Sequence, residues 1–95
     1  MQTKHSLCIP RIENSISKEY IFNVFTKLKI GYIEFINEIP LRNDAKHKRV
    51  IIKLRWNETN KTAQNMLSIL DKNETIKLVH DMPWYWKVVS TTPQK

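Results

Sequence analysis

Between Lys48 and Trp56 the side chains alternate. Val50, Ile52 and Leu54 fall on one side of an extended segment, and Arg49, Ile51, Lys53 and Arg55 fall on the other. A strand that is apolar on one side and mostly basic on the other belongs to a sheet covered on one face only, with the second face open to water or to an anion. The rest of the chain has to supply partner strands and a cover for the apolar side.

Ahead of this segment, Ser6 to Ile12 reads as a short strand with Leu7 and Ile9 inward and Cys8 outward, its hydrogen bonding ended by Pro10. Ser17 is the expected N-cap of a helix, placing Glu19 in the first turn where the helix dipole favours an acid. Ile21, Val24, Phe25 and Leu28 then form one apolar stripe at i, i+3, i+4 and i+7. Gly31, the one glycine of the chain, stands where a left-handed residue would close that helix. Tyr32 to Leu41 turns extended, with Ile33 and Ile36 as core residues, a spacing that requires an irregularity between them. Arg42 to His47 is expected as a polar, basic hairpin loop leading into the central strand.

After Trp56, the run Asn57-Glu58-Thr59-Asn60 offers several N-caps, and Ala63, Met66, Leu67 and Leu70 repeat the helical stripe. Asn73 is the expected left-handed terminator. Thr75 to His80 reads as the last strand, with Ile76 and Leu78 inward and Lys77 and Val79 outward; Met82 to Val89 closes the ordered part. Residues 1–5 and 90–95 are expected as tails around a single domain of residues 6–89.

The formal charge of +7 is concentrated. Six basic residues (Arg42, Lys46, Lys48, Arg49, Lys53, Arg55) against Asp44 alone place +5 of it between Arg42 and Arg55. So local an excess suits a polyanion such as nucleic acid; the alternative is a solvated face that keeps a small protein soluble. No apolar run approaches the ~20 residues that span a bilayer, and no apolar stretch follows Lys4 as in a secretory leader. A single cysteine, Cys8, allows no internal disulfide, which suits a reducing intracellular setting. His5, His47 and His80 share no metal-ligand spacing, one glycine permits no Gly-rich phosphate loop, and no nucleophile or acid pair sits in a catalytic frame. No enzyme, metal or cofactor is therefore expected.

The order β-α-β-β-α-β, with two helical stripes to bury, predicts an α+β fold: a ferredoxin-like sandwich of a four-stranded antiparallel sheet with two helices on one face. In order and spacing, Ser6 to Val88 resembles the RNA recognition motif. Leu7-Cys8-Ile9-Pro10-Arg11-Ile12 stands in the place of that family's RNP2 hexamer, and His47-Lys48-Arg49-Val50-Ile51-Ile52-Lys53-Leu54 in the place of its RNP1 octamer. Ile30-Gly31-Tyr32-Ile33 is similar to the family's approach to its second strand. A domain of this length ending in Pro-Trp-Tyr-Trp-Lys-Val also resembles the small single-domain RRM-like proteins of large double-stranded DNA viruses. The resemblance implies binding of RNA or another single strand on the open sheet face. The family's stacking aromatics are here Cys8, Arg49 and Ile51, and its RNP1 glycine is Lys48. Arg49 can stack its guanidinium on a base, Ile51 offers an apolar floor, and Cys8 offers little.

The expected binding set is Cys8, Arg11, Lys46, Lys48, Arg49, Ile51, Lys53, Arg55, Lys77, Trp84, Tyr85 and Trp86. Lysines and arginines contact phosphates in this reading and merely solubilise in the other. Trp84, Tyr85 and Trp86 either fold beside the sheet as a stacking surface, cap the core or pack under Trp56, or anchor a protein partner. The expected function is non-enzymatic binding of RNA or single-stranded nucleic acid by a monomer; the alternative is a protein-interaction module of a viral or ribonucleoprotein assembly.

Overall fold

The computed structural model describes residues 6–81 and 84–91, and the side chains of all of these except His80 and Asp81. His5, Met82 and Pro83, and the outer parts of both expected tails, lie outside the described residues. Seven elements follow in the order β1 (Leu7–Glu13), α1 (Lys18–Leu28), β2 (Gly31–Leu41), β3 (Asp44–Trp56), α2 (Lys61–Asp71), β4 (Ile76–Asp81) and β5 (Trp84–Ser90). The fold is α+β, with one five-stranded antiparallel sheet in the order β2-β3-β1-β5-β4.

The expected four-stranded sheet therefore gains a strand. Thr75 to His80 was the expected last strand, yet the strand beside β1 is β5, which carries the aromatic cluster; β4 lies outside it at the sheet edge. Alternation continues through Trp86, Lys87 and Val88, so this segment extends like any other strand, and pairing to β1 at Leu7–Ser90 and Cys8–Val89 holds it in the sheet. Ser90 and Thr91, expected in the C-terminal tail, are tied down as well: the Thr91 N–H donates to the Ser6 carbonyl at 2.9 Å.

Both helices form where their caps begin. Ser17 accepts from the Tyr20 N–H at 3.0 Å, and Asn60 accepts from the Ala63 N–H at 3.0 Å. The stripes Ile21/Phe25 and Ala63/Met66/Leu70 are buried against Leu7, Ile9, Val50, Ile52, Leu54 and Val88 on one side of the sheet. Asn73 does end α2 in the left-handed region, at φ 61°. Around it, Glu74 N–H bonds to the Ile69 carbonyl and Asn73 N–H to the Leu70 carbonyl, the two closing bonds of a Schellman motif.

The end of α1 is different from the expectation. Lys29, not Gly31, takes the left-handed conformation, at φ 57°. Gly31 opens β2 without a positive φ, and its lack of a side chain serves close approach: a Cβ there would lie 2.0 Å from the Arg55 carbonyl oxygen. The hairpin loop is also shorter than expected. Leu41 pairs with Asp44, leaving only Arg42 and Asn43 in the turn, and Lys46 and His47 belong to β3. The irregularity required between Ile33 and Ile36 is present, as a register shift between Ile33 and Phe35.

Candidate functional site

Cross-strand pairing decides which residues share the uncovered face. In β3 these are Arg49, Ile51, Lys53 and Arg55, opposite Ile39, Asn37, Phe35 and Tyr32 of β2. Cys8 of β1 pairs with Ile51, and Val89 of β5 pairs with Cys8. Further out, Lys87 pairs with Lys77 and Tyr85 with Val79. The result is a surface of alternating cations and flat or apolar side chains.

Its cations are largely uncompensated. Among the described residues, no carboxylate forms an ion pair with Arg49, Lys53 or Lys87. Lys77 and Lys87 face each other directly, and the Lys77 ammonium lies 5.3 Å from the centre of the Tyr85 ring, a cation–π contact. Arg55 is paired with an acid, Glu34, whose Oε2 lies 2.9 Å from its Nε. Cys8 lies buried in the middle. Burial pushes its thiol up, with Arg49 acting in the opposite direction, so the group at the centre of the face is a neutral thiol.

Two expected members point elsewhere. Lys48 is paired on β3 between Val50 and the hairpin, with the parity of the covered side; its Nζ donates to the Ile16 carbonyl at 2.6 Å and to Glu38 Oε2 at 2.6 Å. Only 7% of Lys48 remains exposed, because a buried ammonium is stable only when its donors are satisfied locally. Trp86 is 6% exposed and packs in the core, stacked on Phe25 at 6.3 Å between ring centres and edge-on to Tyr20 at 6.0 Å. The alternation of β5 turns Trp86 inward and Tyr85 outward, so the aromatic cluster is divided between core and surface.

Arg11, Lys46 and Trp84 sit beyond the centre of the face. Lys46 is exposed near the hairpin. Arg11 donates to Asp44 at 2.6 Å, and His47 Nδ1 lies 3.0 Å from each Asp44 oxygen. The His47 hydrogen bond, reinforced by the Lys46 N–H and the charges of His47 and Arg11, holds the Asp44 carboxyl below the usual carboxylate range.

Trp84, 67% exposed, stands at a break in the sheet. β1 and β5 are paired only at Leu7 and Cys8, while β1 continues to Glu13 along β3 alone. Pro10 offers no N–H, and a bulge between Ile9 and Ile12 sets Pro10 and Arg11 against a single residue of β3, bending β1 away from its neighbour. The opening is a cleft of about 670 Å³, with β1 and the start of α1 on one side and Trp84 to Trp86 on the other.

Six residues of this surface lie outside the expected set: Lys87, Val89, Tyr32, Phe35, Asn37 and Ile39. Lys87 and Val89 were assigned no face because their segment was placed after the last strand. Tyr32 and Phe35, 70% and 50% exposed, lie on a strand whose register could not be read through its irregularity. The signal available for Lys87 was its parity with Tyr85, opposite to that of Trp86 and Val88.

No family model, curated protein or solved structure matches the chain. Among the described residues no cluster of three or more His, Cys, Asp or Glu is arranged to hold a metal ion, and no helix is long and apolar enough to cross a membrane.

Proposed function

We propose that the uncovered sheet face binds RNA or another single-stranded nucleic acid, without catalysis. The observation that carries this reading is the set Arg49, Lys53, Lys77 and Lys87, with no carboxylate paired to any of them among the described residues and with Tyr85, Ile51 and Phe35 between them. Such a face supplies the two things a single strand needs: cations along the phosphates and flat or apolar surface under the bases. Phosphates track Arg49, Lys53 and Lys87, while bases rest on Tyr85, Ile51 and the Arg49 guanidinium. With few aromatics at the centre, affinity is mainly electrostatic and sequence preference weak.

The strand order supports an RRM-type arrangement in which β2, β3, β1 and β5 are the four strands of a split βαβ unit and β4 is an addition at the edge. A second reading, a protein-interaction module, rests on Trp84, whose exposed indole is the kind of group that anchors interfaces.

The test is charge reversal on the face. Arg49→Glu and Lys53→Glu, confirmed as folded by circular dichroism, should each weaken binding of a fluorescein-labelled single-stranded RNA at least tenfold at low salt. Binding unchanged in the double variant would refute the reading. A partner protein lost with Trp84→Ala but retained by the double variant would favour the second.

A further inference from the structure

We infer that the cleft between β1 and β5 is a nucleobase pocket: one base of the bound strand leaves the basic face and inserts beside Trp84. This rests on the nucleic-acid reading and gives it a specific subsite. The cleft lies within the range of volumes that small-molecule sites occupy. It opens in the layer of the sheet itself, so residues of both faces line it: Tyr85 and His47 from the open side, and Tyr20 from α1.

Its chemistry selects a neutral ring over a phosphate. Arg11 and His47, the basic residues of the lining, are both engaged by Asp44. Glu13 adds an acid to the lining. A phosphate would meet no free cation there and one carboxylate, whereas Arg49, Lys53 and Lys87 lie unpaired on the adjoining face. Backbone outside and base inside is the arrangement that leaves no charge opposed.

The walls suit a planar ring. Tyr20, Trp84 and Tyr85 present aromatic surface, and Trp84 is not held in the core as Trp86 is. Glu13, also in the lining, brings a carboxylate, an acceptor suited to an exocyclic amino group. The class of base assigned to the pocket is accordingly one that carries an amino group, cytosine, adenine or guanine, in preference to uracil.

The pocket is also a consequence of sequence. Pro10 and the bulge that follows it end the β1–β5 ladder after Cys8, and the aromatic residues of β5 begin beyond that point.

The experiment is a titration of the ¹⁵N-labelled full chain with cytidine 5′-monophosphate and, separately, with uridine 5′-monophosphate, followed by heteronuclear NMR. The expected result is saturable movement of the Trp84 indole N–H and of the amides of Ile12, Ser15 and Tyr20, tighter for cytidine. In Trp84→Ala the affinity should fall roughly 5- to 150-fold, the range of one lost base–aromatic stack. Movement confined to Arg49, Lys53 and Lys87, or no movement, would overturn the pocket. Equal affinity for the two nucleotides would overturn the part assigned to Glu13. Because this readout does not need the sheet face, the two failures separate. Oligonucleotide affinity that is undiminished in Trp84→Ala removes the pocket alone, and a pocket that fills while no oligonucleotide binds removes the face alone.

Discussion

Lys77 and Lys87 stand directly opposite each other on β4 and β5, two cationic side chains on the uncovered face, with the Lys77 ammonium over the Tyr85 ring. Like charges in register cost a sheet stability, and a cross-strand pair of this kind is worth roughly 0.2–1 kcal/mol in either direction. Lys87→Glu should therefore raise the urea midpoint slightly while weakening binding of single strands. A variant that is more stable and binds as before would show that the pair serves the sheet edge and not a ligand.

Lys48 and Lys53 lie on the same strand but on opposite faces, and their expected outcomes are opposite. Removing Lys48 leaves the Glu38 carboxylate and the Ile16 carbonyl without their shared donor. Lys48→Ala should lower unfolding free energy by about 1–3 kcal/mol, as loss of a buried charged hydrogen-bond partner does. Its salt dependence of nucleic-acid binding should match the wild type. Lys53→Ala should do the reverse: little change in stability, and a shallower salt slope.

Gly31→Ala tests the close passage of β2 and β3. The added Cβ would lie 2.0 Å from the Arg55 carbonyl oxygen, a backbone atom that moves only with its strand. A loss of about 1–3 kcal/mol is expected from forced overpacking, read by urea denaturation. By contrast, Lys29→Gly removes the strain of a left-handed non-glycine residue and should be neutral or stabilising.

The Asp44 cluster gives a pH dependence with a definite sign. Its carboxyl is held low in the folded protein by the His47 hydrogen bond and by Arg11, so the unfolded chain takes up the proton first as pH falls. The stabilisation is complete above the ordinary aspartate value of about 3.9 and is lost as pH falls through the lower folded value. Asp44→Asn should flatten the acid limb of the stability profile. The Cys8 thiol runs the other way: raised by burial, it favours the folded state until pH rises past the ordinary thiol range, and alkylation should be slow in the folded protein.

Both helices, and the caps Ser17 and Asn73, were legible because their signals are local. Ser17, Asn73 and both apolar stripes were found from spacing alone, and so was the face of β3, where alternation runs unbroken from Lys48 to Trp56. What failed depended on contacts distant in sequence. Gly31 looks like a helix terminator until Arg55 is placed behind it. Lys48 looks like one more surface cation until Glu38 and Ile16 surround its ammonium. The division of Trp84, Tyr85 and Trp86 depended on knowing that β5 is a strand, and only its pairing with β1 and β4 establishes that. The cleft was hidden for the same reason, since a break in a ladder cannot be located before both strands are known.

The central claim is that an uncompensated basic face holds a nucleic-acid backbone. The most direct measurement is the affinity for a labelled single-stranded RNA across a series of salt concentrations. Each phosphate contact adds roughly 0.7 to the slope of log affinity against log salt for single strands. Contacts from Arg49, Lys53 and Lys87 predict a slope of about −2, reduced by about one contact in Lys53→Ala. Affinity that does not change with salt, or no binding at low salt by the folded protein, would contradict the account.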